Sequence, residues 1–303
     1  MSISAISLSN AGPQISRLAL GLWRLVEWNL DDAGLLNLIH AALDLGITTF
    51  DHADIYGGYR CEELFGRALA LEPGLRQRMQ IVTKCGIKLV SDRRPAHRIH
   101  HYDTSKAHIL ASVDNSLRAL GTDYVDLLLI HRPDPLLDAD QVAEAFHELH
   151  SSGRVLHFGV SNFLPWQFDL LASRLDFPLV TNQLEISVLH MEALHDGTVD
   201  QCQRLGIAPM AWSPLGGGRL FSGQDERAAR VREALRAVGD ELGGASLDQV
   251  ALAWLLRHPS RIVPVLGTGN VKHLRRSATA AALSLDREQW FTIWTASAGH
   301  EVP

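Results

Sequence analysis

The chain has 303 residues, 46% hydrophobic and 20% charged, a balance that suits a soluble globule with a substantial core. A net charge of −6 argues against nucleic acid or an anionic membrane surface as the main partner. The three scattered cysteines, Cys61, Cys85 and Cys202, do not suit a disulfide framework or a zinc motif, and read as reduced thiols.

The first residues hold no basic segment ahead of an apolar core, so no secretory signal is expected. No apolar run reaches the roughly 18 to 20 residues that span a bilayer, and a cytoplasmic location is expected. Ile3–Ser16 holds Asn10-Ala11-Gly12-Pro13, a turn signal between short apolar segments, which predicts an N-terminal β-hairpin. Leu18–Leu22 reads as a first apolar strand. Asp31–Leu45 has helical periodicity, with Asp31 as N-cap and Gly46 as stop, and Ile47–Asp51 is the next strand.

The alternation then repeats. Helices are predicted over Glu62–Leu71, Thr104–Leu120, Asp138–Ser151, Pro165–Leu175 and Leu194–Leu205. They are followed in turn by strands over Met79–Lys84, Tyr124–Ile130, Val155–Val160, Leu179–Gln183 and Ile207–Trp212. Helices over Asp225–Leu242 and Ser246–Arg257 precede a strand at Ile262–Leu266, and Val271–Leu283 is helical again. Asp286–Ala296, with Trp290 and Trp294, is an extra helix for the outer layer. Eight strands, each followed by a helix, mean a parallel sheet that favours closure. The expected fold is a (β/α)8 TIM barrel with an N-terminal β-hairpin and an extra C-terminal helix, in one domain over residues 1–303.

Strands buried on both faces read as continuous apolar runs, yet these runs end in polar groups. Asp51, Lys84 and His131 end three of them; Ser161-Asn162, Asn182-Gln183 and Trp212-Ser213 end three more. Such ends converge on the mouth where parallel barrels carry their chemistry. Taken singly, each has a plain structural explanation: a turn-forming Asp, a loop-anchoring Tyr56 before Gly57-Gly58, a snorkelling Lys, a hydrogen-bonded core His. Together, Asp51, Tyr56, Lys84 and His131 make a coherent acid–base unit. An ammonium beside a phenol favours the phenolate and is expected to lower its pKa from about 10. A carboxylate keeps the ammonium charged, and an imidazole alongside can polarise a carbonyl oxygen.

The strings FDHADIYG, VTKCG, SLRALGTDYVDLLLIHRPDP, GRVLHFGVSNF, NQLEIS and AWSPLGGG, in this order, resemble the aldo-keto reductase family along nearly the whole chain. The HRPDP segment is most similar to a bacterial subgroup of oxidoreductases whose physiological substrates are poorly defined. The resemblance implies a nicotinamide cofactor bound without a strand–GxGxxG–helix motif, which this chain lacks. It implies Tyr56 as general acid in carbonyl reduction, Lys84 and Asp51 as its tuning pair and His131 as the carbonyl-orienting residue. Ser161, Asn162 and Gln183 would bind the carboxamide, and Trp212 would stack on the nicotinamide. Ser213, Leu215 and Gly217 would belong to a loop wrapping the pyrophosphate.

At the adenosine end the chain departs from the family pattern. Gly267 replaces a lysine, Thr268 matches a serine, and His273 stands at the arginine position. Lys272, Arg275 and Arg276 could substitute at a helix start, or form a solvated helix face. NADP(H) is favoured over NAD(H) on this reading. Trp23, Trp28 and Trp166 are candidate substrate-pocket aromatics, or core residues. With little chain after the last predicted helix, an open site accepting small aldehydes or ketones broadly is expected.

His97, His100, His101 and His108 lie in a polar loop running into a helix, without ligand spacing, and no metal is expected. The expected assembly is a monomer or small homo-oligomer. Two other readings remain open: a cofactor-binding regulatory protein with little turnover, and an unrelated barrel enzyme holding a phosphorylated substrate near Gly267.

Overall fold

Two short strands, β1 (Ala5–Ser7) and β2 (Gln14–Ser16), pair antiparallel as the predicted hairpin in this computed structural model, which describes residues 3–303. The barrel begins with β3 (Ala19–Gly21), β4 (Thr49–Asp51) and β5 (Gln80–Cys85). A two-residue antiparallel pair, β6 (Ile87–Lys88) with β7 (His101–Tyr102), stands outside it. The barrel resumes with β8 (Val125–Ile130), β9 (Val155–Ser161), β10 (Leu179–Glu185), β11 (Met210–Trp212) and β12 (Val263–Leu266). The eight barrel strands follow chain order in parallel, and β12 closes onto β3, giving the (β/α)8 TIM barrel the alternation predicts.

The helices are α1 (Asp32–Asp44), α2 (Tyr56–Tyr59), α3 (Cys61–Ala70), α4 (Lys106–Leu120), α5 (Ala139–Ser151) and α6 (Pro165–Ala172). They continue with α7 (Thr198–Leu205), α8 (Arg219–Ser222), α9 (Glu226–Glu241), α10 (Leu247–Leu256), α11 (Val271–Thr279) and α12 (Arg287–Ala298). Several of their starts carry side-chain caps. Asp31, Ser105, Asp138, Asp225 and Asp286 each accept a backbone N–H of the first turn, each worth about 1 kcal/mol.

The hairpin closes the barrel where its strands begin. Leu8 and Ile15 are buried against Ala19, Val82, Leu127, Val180, Met210 and Val263, and the Ala208 N–H donates to Leu8 O at 2.7 Å. The polar strand ends therefore face the other, open mouth. The last helix lies on the outer layer. Trp290 stacks on Trp254, with centroids 4.8 Å apart and planes 8° apart, and each indole N–H donates to the other residue's carbonyl.

Four predicted elements differ. The helix expected over Pro165–Leu175 ends at Ala172. The strand expected from Ile207 begins at Met210, because Ala208 bonds to the hairpin and Pro209 has no N–H. The helix expected over Leu194–Leu205 breaks at Gly197 (φ 85°), and Asp196 caps the new start by accepting from Thr198 N. The one expected over Val271–Leu283 ends as an α-helix at Thr279 and tightens to a 3-10 turn over Ala280–Ala282. The β6–β7 pair was not predicted, since two residues are too short for any periodicity to register.

Gly66 marks where α3 presses on the end of α4. A Cβ there would come 2.1 Å from Ala119 O and 2.9 Å from the Leu120 carbonyl carbon. Gly66→Ala is expected to cost about 1–3 kcal/mol, through overpacking against backbone that cannot yield locally. Urea unfolding should show a lower midpoint at unchanged slope; a wild-type midpoint would mean that the two helices separate freely.

Candidate active site

Parallel pairing brings the polar strand ends into register. Asp51 closes β4 opposite Val82, Lys84 lies opposite Leu129, and His131 follows β8 with its N–H donating to Cys85 O at 2.8 Å. Lys84 is 0% exposed, so its ammonium must find every partner inside. It donates to Asp51 Oδ2 (2.7 Å), the His52 carbonyl (2.8 Å) and Tyr56 Oη (3.1 Å). Those three bonds use all the donors an ammonium has. The other Asp51 oxygen accepts from Gln183 Nε2 at 2.7 Å, across the barrel from β10. Gln183 thus touches the acid–base unit directly, a link that spacing in the chain does not reveal.

The charge states follow from this packing. Burial pulls the Lys84 ammonium toward neutrality, but Asp51 and Tyr56 outweigh it, and its pKa lies above the usual lysine value. For Tyr56 the balance tips the other way. Burial raises its pKa more than Lys84 lowers it, so the phenol lies above the ordinary tyrosine value, not below it as the sequence led us to expect. The physical reason is that the hydroxyl sits in a desolvated floor where Asp51 offsets much of the ammonium's field. Burial, then Lys84 and Arg132, push the His131 imidazole well below its usual range, so it is neutral. Its ring meets that of Tyr56 edge-on, with centroids 5.8 Å apart.

Behind this unit lie buried acids that sequence reasoning missed. Glu62 accepts from Thr83 Oγ1 at 2.6 Å. Asp54 accepts from Ser112 Oγ at 2.7 Å, and burial pushes its carboxyl up to about 7. His52 is pushed down to about 3 by burial and by Lys84, and packs edge-on against Phe65. The only signal for them was adjacency to the motif residues.

A cavity of about 630 Å³ opens above the floor. Asp51, Tyr56 and His131 line its base, with Ser161, Asn162, Gln183 and Trp212 beside them. Lys84 is not itself part of the lining and reaches the cavity through Asp51 and Tyr56. Trp212 Nε1 donates to Asn162 Oδ1 (3.0 Å), Asn162 Nδ2 to Ser161 Oγ (2.8 Å) and Ser161 Oγ to the Gln183 carbonyl (2.9 Å). Asn162 (φ 58°) and Ser213 (φ 49°) hold left-handed backbone at the ends of β9 and β11, a strain of the kind found at functional sites.

Farther along, Ser213, Leu215, Gly217, Gly267, Thr268 and Arg276 line the same cavity. Arg276 is tied down, its Nε donating to Asp248 Oδ2 at 2.7 Å.

Three expected residues lie off the cavity. Lys272 is exposed on α11. The Trp28 ring covers Gly269, whose built Cβ would be 2.5 Å away, and packs on the core instead. Trp166 is 65% exposed at the start of α6, turned outward by the helix. Trp23 does line the cavity. Residues the sequence did not single out, Arg24, Arg132 and Asp248, line it too. Among the described residues, no cluster of His, Cys, Asp or Glu is arranged to hold a metal ion, and no helix is long and apolar enough to cross a membrane.

Comparison with known proteins agrees with this architecture. The Aldo/keto reductase family model matches residues 17–297. An oxidoreductase of Bacillus subtilis (strain 168), YcsN, is 56% identical over 290 residues, covering 96% of this chain and 97% of its own. A 6-dehydroglucose reductase of Agrobacterium fabrum is 48% identical over 290 residues, covering 95% and 96%. Among solved structures, the thermostable aldo-keto reductase Tm1743 with the inhibitor epalrestat superposes with a TM-score of 0.82 at 28% identity, covering 97% of this chain and 100% of that one. With a closed parallel barrel, polar strand ends at one mouth and a family match over nearly its full length, the chain belongs to the aldo/keto reductase family of oxidoreductases.

Proposed function

We propose that the chain reduces aldehyde or ketone carbonyls to alcohols with NADP(H), Tyr56 serving as general acid. The observation that carries this reading is the Lys84 ammonium held between Asp51 Oδ2 and Tyr56 Oη at the cavity floor, beside a neutral His131. The cavity's residues fit a dinucleotide. Amide and hydroxyl groups lie beside the floor, the Trp212 ring next to them, and then bare glycine backbone. A Cβ at Gly218 or Gly267 would meet nothing within 4 Å, so phosphate oxygens have room to approach the main chain.

Ser161, Asn162 and Gln183 would hold the carboxamide, with Trp212 against the ring. Ser213, Leu215 and Gly217 would hold the pyrophosphate. Thr268 and Arg276 would meet the adenosine 2′-phosphate, with Lys272 nearby at the start of α11. When bound, the nicotinamide supplies hydride to the carbonyl carbon.

The chain's own groups handle the oxygen. A phenol kept protonated by burial is available as an acid at neutral pH, and gives its proton to the oxygen as negative charge develops there. Lys84, held charged by Asp51, stabilises the phenolate left behind. Neutral His131 keeps one N–H with which to bond the carbonyl oxygen. Trp23, Ile55 and Ile87 supply apolar wall for a small substrate. The name of the Agrobacterium fabrum relative, a 6-dehydroglucose reductase, favours sugar-like carbonyls among the candidates.

Tyr56→Phe should lower kcat/KM for carbonyl reduction by about 10²–10⁴-fold. Its affinity for NADPH, read from quenching of tryptophan fluorescence, should stay within about twofold of wild type, because the lost hydroxyl is the acid and not a cofactor ligand. A wild-type protein that binds NADPH but reduces no carbonyl would favour the regulatory reading instead.

The pH profile of reduction should be level from about pH 5.5 to 8 and fall only toward or above the tyrosine range near 10, where the acid loses its proton. An activity change centred near the ordinary histidine pKa of about 6.5 that persists in Asp54→Asn, where the carboxyl raised to about 7 is gone, would contradict a His131 held neutral. In separate titrations, NADPH should bind at least about tenfold more tightly than NADH, the worth of one charge-assisted contact to the 2′-phosphate.

A further inference from the structure

Three arginines line the cavity, and two are engaged. Arg24 donates to the Gly217 carbonyl at 3.2 Å, and Arg276 is paired with Asp248 at 2.7 Å. Arg132 is different. It follows His131 directly, is partly buried, and among the described residues makes no hydrogen bond and no ion pair. Its guanidinium lies over the Trp212 ring, whose centroid is 5.2 Å from its Cζ.

A guanidinium carries five donors in a planar fork that matches a carboxylate or a pair of adjacent oxygens. With no protein acceptor fixed to it, that fork is left to water in the open cavity and is free to be taken by a ligand that presents two adjacent oxygens. Its neighbours do not neutralise it: Lys84 already takes Asp51, and His131 carries no charge. The nearby walls are apolar or aromatic, namely Trp23, Ile55, Ile87 and Trp212. Arg132 is also close enough to the floor to pull the Tyr56 and His131 pKa values downward.

We propose that Arg132 is a specificity-determining residue that binds an oxygen-bearing substituent of the carbonyl substrate, either a carboxylate or adjacent hydroxyls. The enzyme then selects oxygenated aldehydes and ketones over plain hydrocarbon ones, and its open site is less permissive than the sequence suggests. The inference rests on the carbonyl-reductase reading and names the substrate class for it. The retaining force of the Trp212 contact alone is the competing explanation, and a substrate series separates the two.

The test compares wild type with Arg132→Met, which keeps the aliphatic bulk and removes the fork. Three aldehydes of similar length serve: butanal, succinic semialdehyde and glyceraldehyde. Aldehydes differ in intrinsic reactivity, so the variant-to-wild-type ratio is read separately for each. The expected result is a fall in kcat/KM of about 10- to 100-fold on an oxygenated aldehyde, mainly through KM, with butanal within about threefold.

A loss on succinic semialdehyde alone assigns a carboxylate partner, and a loss on glyceraldehyde assigns hydroxyls. Equal ratios on all three aldehydes would overturn the proposal, because Arg132 would then act only through Trp212 or Tyr56. Calorimetric titration of NADPH into both proteins shows whether the cofactor site has been disturbed. If Arg132→Met does not fold, Arg132→Lys keeps the charge without the fork. It should show a smaller loss of the same selectivity, and an unchanged selectivity would again overturn the proposal. Failure of the carbonyl-reductase reading would look different, since wild type would then reduce none of the three, butanal included.

Discussion

An ammonium with no exposure to solvent is the constraint around which the open end of this barrel is arranged. Stripping Lys84 of water costs several kcal/mol unless each of its donors is met, and it is met by one carboxylate, one main-chain carbonyl and one phenol. Each partner comes from a different part of the β4 strand and its loop, so the charge on β5 fixes how that loop leaves the barrel. Asp51 in turn needs a second donor, and Gln183 supplies it from the far side of the ring of strands. Removing any member would leave a buried charge or acceptor without its match.

The same arrangement decides what the phenol can do. Were the ammonium alone, it would draw Tyr56 toward the phenolate. With Asp51 adjoining and water excluded, the proton is held instead. In the reaction proposed above, Tyr56 would then donate its proton as negative charge appears on the substrate oxygen, with Lys84 in place to stabilise the phenolate. The histidine beside it is kept neutral by the same burial and the same cations, so it can donate a hydrogen bond without adding charge to a floor that already holds an ammonium.

Floor and rim are built on different terms. Floor residues are the ends of buried strands, with positions set by barrel register and bonds that are mutually exclusive. Rim residues such as Trp23, Arg24 and Arg132 stand on loops after strands, where side chains vary without disturbing the barrel. Arg132 bridges the two. It is one residue beyond the floor histidine, and among the described residues its guanidinium meets the Trp212 ring but makes no hydrogen bond or ion pair; on the proposed reading, substrate selection would lie immediately next to the chemistry.

By itself the sequence determined the alternation of strands and helices, the cap at Asp31, and the convergence of Asp51, Tyr56, Lys84 and His131 on one mouth. These are local signals: apolar runs, capping side chains and strand ends are each written within a few consecutive residues. Tertiary structure alone decided that Gln183 would meet Asp51, which lies 132 positions away, and that Asp248 would capture Arg276. It alone turned Trp28 onto Gly269 and Trp166 to solvent, while leaving Arg132 in the cavity without a hydrogen bond or ion pair among the described residues. It also reversed the expected direction of the Tyr56 pKa. Contacts between distant strands, and the desolvation they impose, depend on how the cylinder closes, and no window of neighbouring residues encodes that.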